Sequence, residues 1–178
     1  ELAQEDAAGF VKLALTSDRE GQVSYRALKG SITDLLGEKG WKGWWKDAKP
    51  ALKREPIIGM TSGSQPSFRL LRQADKYEDR LRRKFDHSKD PQDKLLRVMS
   101  YLDEIAREEK NGTCKGCADE ALLVHFGNGA AKVAVMVLKV NPALALAGLA
   151  LHAEIAARGV AVARPNPKAA GQVLARIP

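Results

Sequence analysis

The sequence has little of the chemistry that most enzymes and metal proteins use. Of its 178 residues, only two are cysteines and three are histidines. Cys114 and Cys117 are too few for a disulfide framework. The sequence also has no phosphate-binding glycine loop, no His-Glu-x-x-His and no Gly-x-Ser-x-Gly. We therefore expect a protein that is not an enzyme and that binds neither a cofactor nor a small-molecule ligand.

Long hydrophobic runs are absent as well. The longest apolar region spans residues 130–157, and Lys132, Lys139 and the pair Asn141–Pro142 cut it into pieces too short to cross a membrane. We expect these pieces to be core helices of a soluble, cytoplasmic protein with no membrane partner. The chain starts at Glu1 rather than Met, so we expect it to be part of a longer protein.

The few aromatic residues and the excess positive charge are both concentrated. Aromatic residues make up 6% of the chain, yet its three tryptophans fall at Trp41, Trp44 and Trp45. Residues 41–97 contain 15 Lys and Arg against 8 Asp and Glu, a net charge of +7, whereas the rest of the chain has 14 of each sign. A localised basic segment is typical of a protein that binds a polyanion. The alternative is a solvated, Lys-rich and Arg-rich helix surface.

Hydrophobic periodicity predicts an all-α fold, either a multi-helix bundle or a helical array, with one short hairpin near 57–71. Ser24 is a predicted helix cap, and Asp90–Pro91 is a predicted helix start. Gly37 and Gly40 are a predicted helix end, Asn111–Gly112 is a predicted helix stop, and Asn128–Gly129 is a predicted helix break. Pro50 predicts a kink or a restart within its helix. The predicted helices span 2–16, 24–37, 41–54, 70–86, 91–110, 118–126, 130–140, 142–158 and 167–177.

A change of composition near residue 88 predicts two parts. Residues 1–88 form a basic helical region that contains the Trp-rich helix, and residues 89–178 form an apolar helical region. The two parts are either separate domains or halves of one domain.

The tryptophans allow two interpretations. On a helix, Trp41, Trp44, Trp45, Ala48 and Leu52 share one face, while the lysines between them fall mainly on the flank and the opposite side. In one interpretation the rings fasten the helix to the core and the lysines stay in solvent. In the other, a ring edge remains exposed to stack on a base while a nearby ammonium contacts a phosphate. Both interpretations leave lysines free to contact nucleic acid.

The same stretch resembles a family. Leu28–Lys29 and the pattern Trp41, Trp44–Trp45, Lys46, Ala48–Lys49, Leu52–Lys53 and Pro56 are similar to the helical N-terminal region of long-form bacterial Gre-type transcription elongation factors. The similarity covers roughly residues 22–71, and Glu55 stands where the family pattern also has Asp. The resemblance implies an accessory helical domain of a transcription factor rather than the transcript-cleavage module.

We therefore predict a non-catalytic accessory domain of a transcription-associated bacterial protein. The predicted partner is nucleic acid or an acidic protein surface, such as that of RNA polymerase, and it binds the 41–97 basic segment. The candidate nucleic-acid-binding residues are Lys42, Trp44, Lys46, Lys49, Lys53, Arg54, Arg69 and Arg72.

Three alternatives remain open. The apolar C-terminal helices are suited to a protein–protein interaction scaffold. Cys114 and Cys117, with His125 nearby, are suited to a small redox or metal protein, although four ligands are usual for structural zinc. Gre-type factors also carry acidic residues at a helical tip, and Asp86, Asp90 and Asp93 lie at the predicted 70–86/91–110 turn.

Overall fold

The computed structural model describes residues 6–61, 63–112 and 118–164, together with residues 171 and 175. Within these residues the chain forms six helices and one sheet of three short strands. The predicted fold class is confirmed, because helices hold most of the described residues. The helix predicted over 167–177 lies largely outside the described residues.

The chain divides into two compact units, Glu1–Asp79 and Arg80–Pro178, which we call unit 1 and unit 2. Each unit is described by itself below. Domains over 1–88 and 89–178 stay a prediction.

Unit 1 begins with two capped helices. At the start of α1 (Ala7–Ser17), the Asp6 carboxylate accepts a hydrogen bond of 2.8 Å from a first-turn amide. At the start of α2 (Tyr25–Arg54), the Ser24 hydroxyl accepts one of 3.2 Å from the Ala27 amide, so the predicted cap is confirmed. These side chains bind amides that have no partner within the helix itself.

α2 consists of two helices joined by a sharp turn at Gly37, where φ is 75° and ψ is 166°. Only glycine adopts this conformation readily, because a positive φ with ψ near 180° is strained for any residue that has a Cβ. We call residues 25–36 α2a and residues 38–54 α2b. The predicted helix end at Gly37 is therefore confirmed, whereas Gly40 lies inside α2b.

The helix restart predicted at Pro50 is wrong. α2b continues through Pro50 to Arg54, and its residues keep helical backbone angles. Proline removes the hydrogen bond to the carbonyl four residues earlier, here that of Lys46. Both residues are exposed, so water can bond that carbonyl and the helix tolerates the proline.

Three strands form a small antiparallel sheet with the order β1-β3-β2: β1 (Gln22–Ser24), β2 (Ile58–Met60) and β3 (Ser67–Leu70). The β2–β3 pair is the predicted hairpin, whereas β1 was not predicted. Phe68 in β3 is buried and its neighbour Arg69 is exposed. Successive side chains of a strand point to opposite faces, so Phe68 marks the inner face of the sheet and Arg69 the outer face.

The helix predicted over 70–86 begins only at Tyr77, where α3 (Tyr77–His87) starts. The preceding backbone is bonded to another segment instead. The Leu71 amide donates to the Ile57 carbonyl, and the Asp75 amide to the Pro56 carbonyl, both at 2.8 Å. Amides bonded in this way are not available to a helix.

Unit 2 contains three long helices: α4 (Pro91–Asn111), α5 (Glu120–Val137) and α6 (Pro142–Ala157). The predicted start of α4 is confirmed, because the Asp90 carboxylate accepts a hydrogen bond of 3.0 Å from the Gln92 amide. The predicted stop is confirmed at Gly112, which has a φ of 67°. α6 starts at an Asn141 cap.

The helix break predicted at Asn128–Gly129 is wrong, since α5 passes through both residues. Gly129 serves packing here: a Cβ at this position would collide with the Phe85 ring. Gly148 serves the same purpose in α6, because its Cβ would lie 2.8 Å from the Ala130 carbonyl oxygen of α5. Small residues thus let neighbouring backbones and rings approach closely.

Residues 130–157 were expected to be core, and this is only partly so. Ala130, Val133, Ala134, Ala145 and Ile155 are buried. Several apolar side chains of the same region are exposed, namely Val135, Met136, Val140 and Leu146. Across the described parts of the chain, none of the helices has the length and apolar character that crossing a membrane requires.

Candidate nucleic-acid interface

The tryptophans of α2b form one stacked aromatic cluster. The centre of the Trp41 ring lies 5.4 Å from that of Trp45, with 14° between the ring planes. It lies 5.6 Å from the centre of the Trp44 ring, with 29° between the planes. Phe10 of α1 meets Trp44 edge to face, and Phe68 of β3 meets Trp45 in the same way. The cluster therefore ties α2b to α1 on one side and to the sheet on the other.

Trp44 was a candidate for contacting nucleic acid, and its burial argues against that role. Its side chain is 8% exposed and belongs to the same core as Val11, Ile32 and Leu52. A ring in this position leaves no face on which a base can stack. The geometry thus favours the first interpretation, in which the tryptophans fasten the helix.

Four exposed lysines follow one another along α2b. Lys39, Lys42, Lys46 and Lys49 are separated by three, four and three residues, and each is exposed. These spacings place all four on one side of a helix. We call them the lysine row. Lys39 was not among the predicted residues, although the same spacing would have identified it.

The row begins on the flank of the tryptophan face, at Lys42 and Lys49, and extends to the opposite side of the helix at Lys39. On a helix, Lys42 and Lys49 project nearest to Trp45, and Lys46 projects further from the core. The exposed carboxylate of Asp47 projects from the other flank, next to Trp44. An open groove of about 520 Å³ lies on that acidic flank, lined by α1 and α2 residues that include Asp6 and Asp47. The Asp47 carboxylate and the lysine row therefore project from different sides of α2b.

The last two candidates on α2b are engaged within unit 1. The Lys53 ammonium lies 4.7 Å from the centre of the buried Tyr77 ring, and the Arg54 guanidinium lies 5.6 Å from it. Arg54 also lies 3.9 Å from a carboxylate oxygen of Glu78. Both cations are half-buried. They hold the start of α3 and are less accessible to a partner than the lysine row.

Arg69 lies on a different surface from the lysine row. Its neighbour Phe68 contacts Trp45 of α2b, so Arg69 projects from the face of the sheet that points away from α2b. The Arg69 side chain lies across Gly59 of β2, where a Cβ would come within 3.1 Å of its Cγ. Arg72 is exposed beyond the end of β3. The structure thus separates the eight candidates into several groups.

The 41–97 basic segment is also divided between the two units. Residues 41–79 of unit 1 contain eight Lys and Arg against five Asp and Glu. Residues 80–97 of unit 2 contain seven against three. The segment is therefore not one surface of one compact body, and each part has its own geometry.

The three acidic residues near the α3–α4 turn each have a partner within unit 2. Asp90 caps α4, and Asp86 lies 2.7 Å from Nε2 of His125. The Arg97 guanidinium donates a hydrogen bond of 2.8 Å to Asp93. Hydrogen bonds from the Ser88 side chain and from Arg97 hold the pKa of the Asp93 carboxyl below its usual range. Their observed contacts give these carboxylates structural roles.

The cysteine hypothesis falls outside the described residues, since Cys114 and Cys117 lie within the gap at 113–117. The nearby His125 packs edge to face on Phe85, at 5.6 Å between ring centres. Among the residues that the structure describes, no three His, Cys, Asp and Glu side chains are grouped so that they could hold a metal ion.

In unit 1, helices α2a and α2b are joined by a sharp turn at Gly37. Residues 1–75 match the family model of the GRAD helix-turn-helix domain, in which GRAD denotes the Gre-factor-related domain. The match covers less than half of the chain, and no curated protein or solved structure matches the chain. The Gre resemblance is thus confirmed as a Gre-like helical region, and a nucleic-acid-related or transcription-related domain is indicated.

Proposed function

We propose that this chain is a non-catalytic accessory domain of a transcription-associated protein, and that it binds nucleic acid through the lysine row. The observation that carries the proposal is the position of the row. It lies on α2b, which is the second of two helices joined by a turn and lies within the residues that match a helix-turn-helix family model. In DNA-binding helix-turn-helix motifs, the second helix is the one that enters the major groove.

The packing beneath the row supports this role. Trp41 is 4% exposed, and together with Trp44 and Trp45 it fixes α2b against the sheet and α1. A helix held in this way presents its lysines from a rigid support, so little ordering cost falls on the backbone when a partner binds. Each ammonium can then neutralise one phosphate.

The test is salt-dependent binding of the full chain to a short, fluorescently labelled DNA duplex, measured by anisotropy. The logarithm of affinity should fall linearly with the logarithm of salt concentration. Replacing Lys42, Lys46 and Lys49 by Gln should weaken binding and make this slope shallower by about one unit for each phosphate that is no longer neutralised.

A matched control removes the same charge from unit 2. Lys110, Lys132 and Lys139 are exposed lysines of α4, α5 and the residues after α5, and their replacement by Gln should leave the slope unchanged. A wild-type chain that shows no salt-dependent binding at low ionic strength would contradict the proposal. The row would then be a solvated face or a docking site for an acidic protein.

A second candidate function rests on unit 2. Exposed apolar side chains gather near the end of α5, where Met136 is 62% exposed and Val140 is 88% exposed. Such side chains favour a protein–protein scaffold. Replacing both residues by Ser should then abolish capture of a protein partner while leaving the fold, measured by circular dichroism, unchanged.

A further inference from the structure

The exposed side chains of α2b are of few chemical types. All residues of α2b are described, and the exposed ones are Glu38, Lys39, Lys42, Gly43, Lys46, Asp47, Lys49, Pro50 and Ala51. Sequence readout in a groove depends chiefly on Arg, Asn and Gln, which form paired hydrogen bonds with base edges. None of these three residue types is exposed on α2b. Its exposed cations are all lysines, which act on phosphates as point charges.

Unit 1 also offers little for stacking on unpaired bases. Among its described residues, none of the aromatic side chains is exposed. Four are buried and three are half-buried, namely Trp41, Trp44, Phe68 and Tyr77 in the first group and Phe10, Tyr25 and Trp45 in the second. Trp45, the ring nearest to the row, packs against Trp41, Tyr25 and Phe68. Binding of single strands usually depends on exposed rings on which successive bases stack.

The helix fixes the spacing of the lysine row along its axis. At about 1.5 Å per residue, Lys39 and Lys49 lie roughly 15 Å apart along the helix, with the other two lysines between them. A duplex carries one phosphate charge for about every 1.7 Å of its axis, counting both strands, and it holds those charges in a rigid array. Lysines spaced along a rigid helix therefore suit a duplex better than a flexible single strand, which must first be ordered.

We propose that the lysine row binds duplex nucleic acid through its phosphates and does not read the base sequence. The proposal rests on the proposed function and makes it more specific, because it names the form of the polyanion and the kind of contact. The second helix of the pair here positions the protein on a duplex, and specificity for a sequence has to come from outside α2b.

The test compares affinities of the full chain at one fixed salt concentration. The probes are labelled DNA duplexes of equal length with an AT-rich, a GC-rich and a shuffled sequence, the matching RNA duplex, each single strand, and polyglutamate as a competitor. The affinities for the DNA duplexes should differ from one another by less than about threefold. A protein that reads bases would lose about fivefold or more in affinity for each mismatched base pair. Single strands should bind about tenfold more weakly, and polyglutamate should compete poorly.

Three results would overturn the inference. A difference above about tenfold between duplex sequences would mean that bases are read. Equal or tighter binding of single strands would mean that stacking or strand flexibility contributes. Efficient competition by polyglutamate would identify an acidic protein surface as the partner. The first two leave nucleic-acid binding intact, whereas failure to bind any of the nucleic-acid probes would instead contradict the proposed function.

Discussion

Helices α2b and α6 are similar in length, yet different kinds of buried side chain hold them in their units. α2b is anchored by the large rings of Trp41, Trp44 and Trp45 on one face. α6 buries two small residues, Ala145 and Gly148, together with His152 and Ile155, and Gly148 packs against the backbone of Ala130 in α5. The exposed side of α2b carries lysines, whereas that of α6 consists mainly of alanines with Leu146 and Glu154.

The comparison shows how the packing of a helix affects which residues its other positions can carry. Three large rings concentrate the buried area of α2b at a few positions, so its other positions can carry cations at little cost to stability. Close packing through glycine and alanine needs small residues at successive turns of α6.

The largest expected effect is the removal of a buried ring from α2b. Trp41→Ala should lower the free energy of unfolding by about 3–5 kcal/mol, because Trp41 is 4% exposed and stacks on both other tryptophans. Trp45→Ala should lower the free energy of unfolding by about half as much, since Trp45 is only half-buried. Urea denaturation followed by circular dichroism measures both. Equal decreases for the two variants would contradict the described burial.

A pair of glycine substitutions tests the comparison between the helices directly. Gly148→Ala should destabilise the protein by about 1–3 kcal/mol, because its Cβ would press on the Ala130 carbonyl at 2.8 Å and that backbone atom cannot easily move. Gly43→Ala is the control, because a Cβ there meets no atom of another part of the described structure within 4 Å. This substitution should raise the free energy of unfolding by about 0.5–1 kcal/mol, since alanine favours a helix more than glycine does. Thermal denaturation of both variants should give shifts of opposite sign.

The smallest expected effect concerns a surface carboxylate of unit 2. The pKa of Asp93 is lowered in the folded state, so its contribution to stability is present above the pKa of the unfolded chain and is lost as the pH falls through the folded pKa. Asp93→Asn should therefore be slightly less stable than the wild type at neutral pH and equally stable in strong acid. Denaturant titrations at the two pH values check this, and a difference that persists in acid would exclude the ionic cause.

The sequence is most informative where one residue determines the local structure. Ser24, Asp90–Pro91 and Gly112 cap or end their helices as predicted, because capping depends on nearby atoms. The helix break predicted at Gly129 is wrong because the role of this glycine depends on Phe85, which is distant in sequence. β1 was not predicted because three residues are too few for an alternating pattern to identify a strand, and the strand forms through its pairing with β3.

The candidate site follows the same rule. The exposed lysines of α2b could be predicted from helical spacing alone, and that spacing also applies to Lys39. The engagement of Lys53 and Arg54 with Tyr77 could not, because Tyr77 is distant from them in sequence and the intervening β2–β3 hairpin brings it near them. The separation of Arg69 from the row likewise depends on the register of β3, which places Phe68 on the inner face.

The most direct test of the lysine row is lysine footprinting of the full chain. The protein is acetylated briefly with and without a saturating DNA duplex, and the labelling of each lysine is measured by mass spectrometry. Lys39, Lys42, Lys46 and Lys49 should be protected by the duplex, while the exposed lysines Lys110, Lys132 and Lys139 of unit 2 should be labelled equally in both samples. Unchanged labelling of the row, or protection confined to unit 2, would contradict the account.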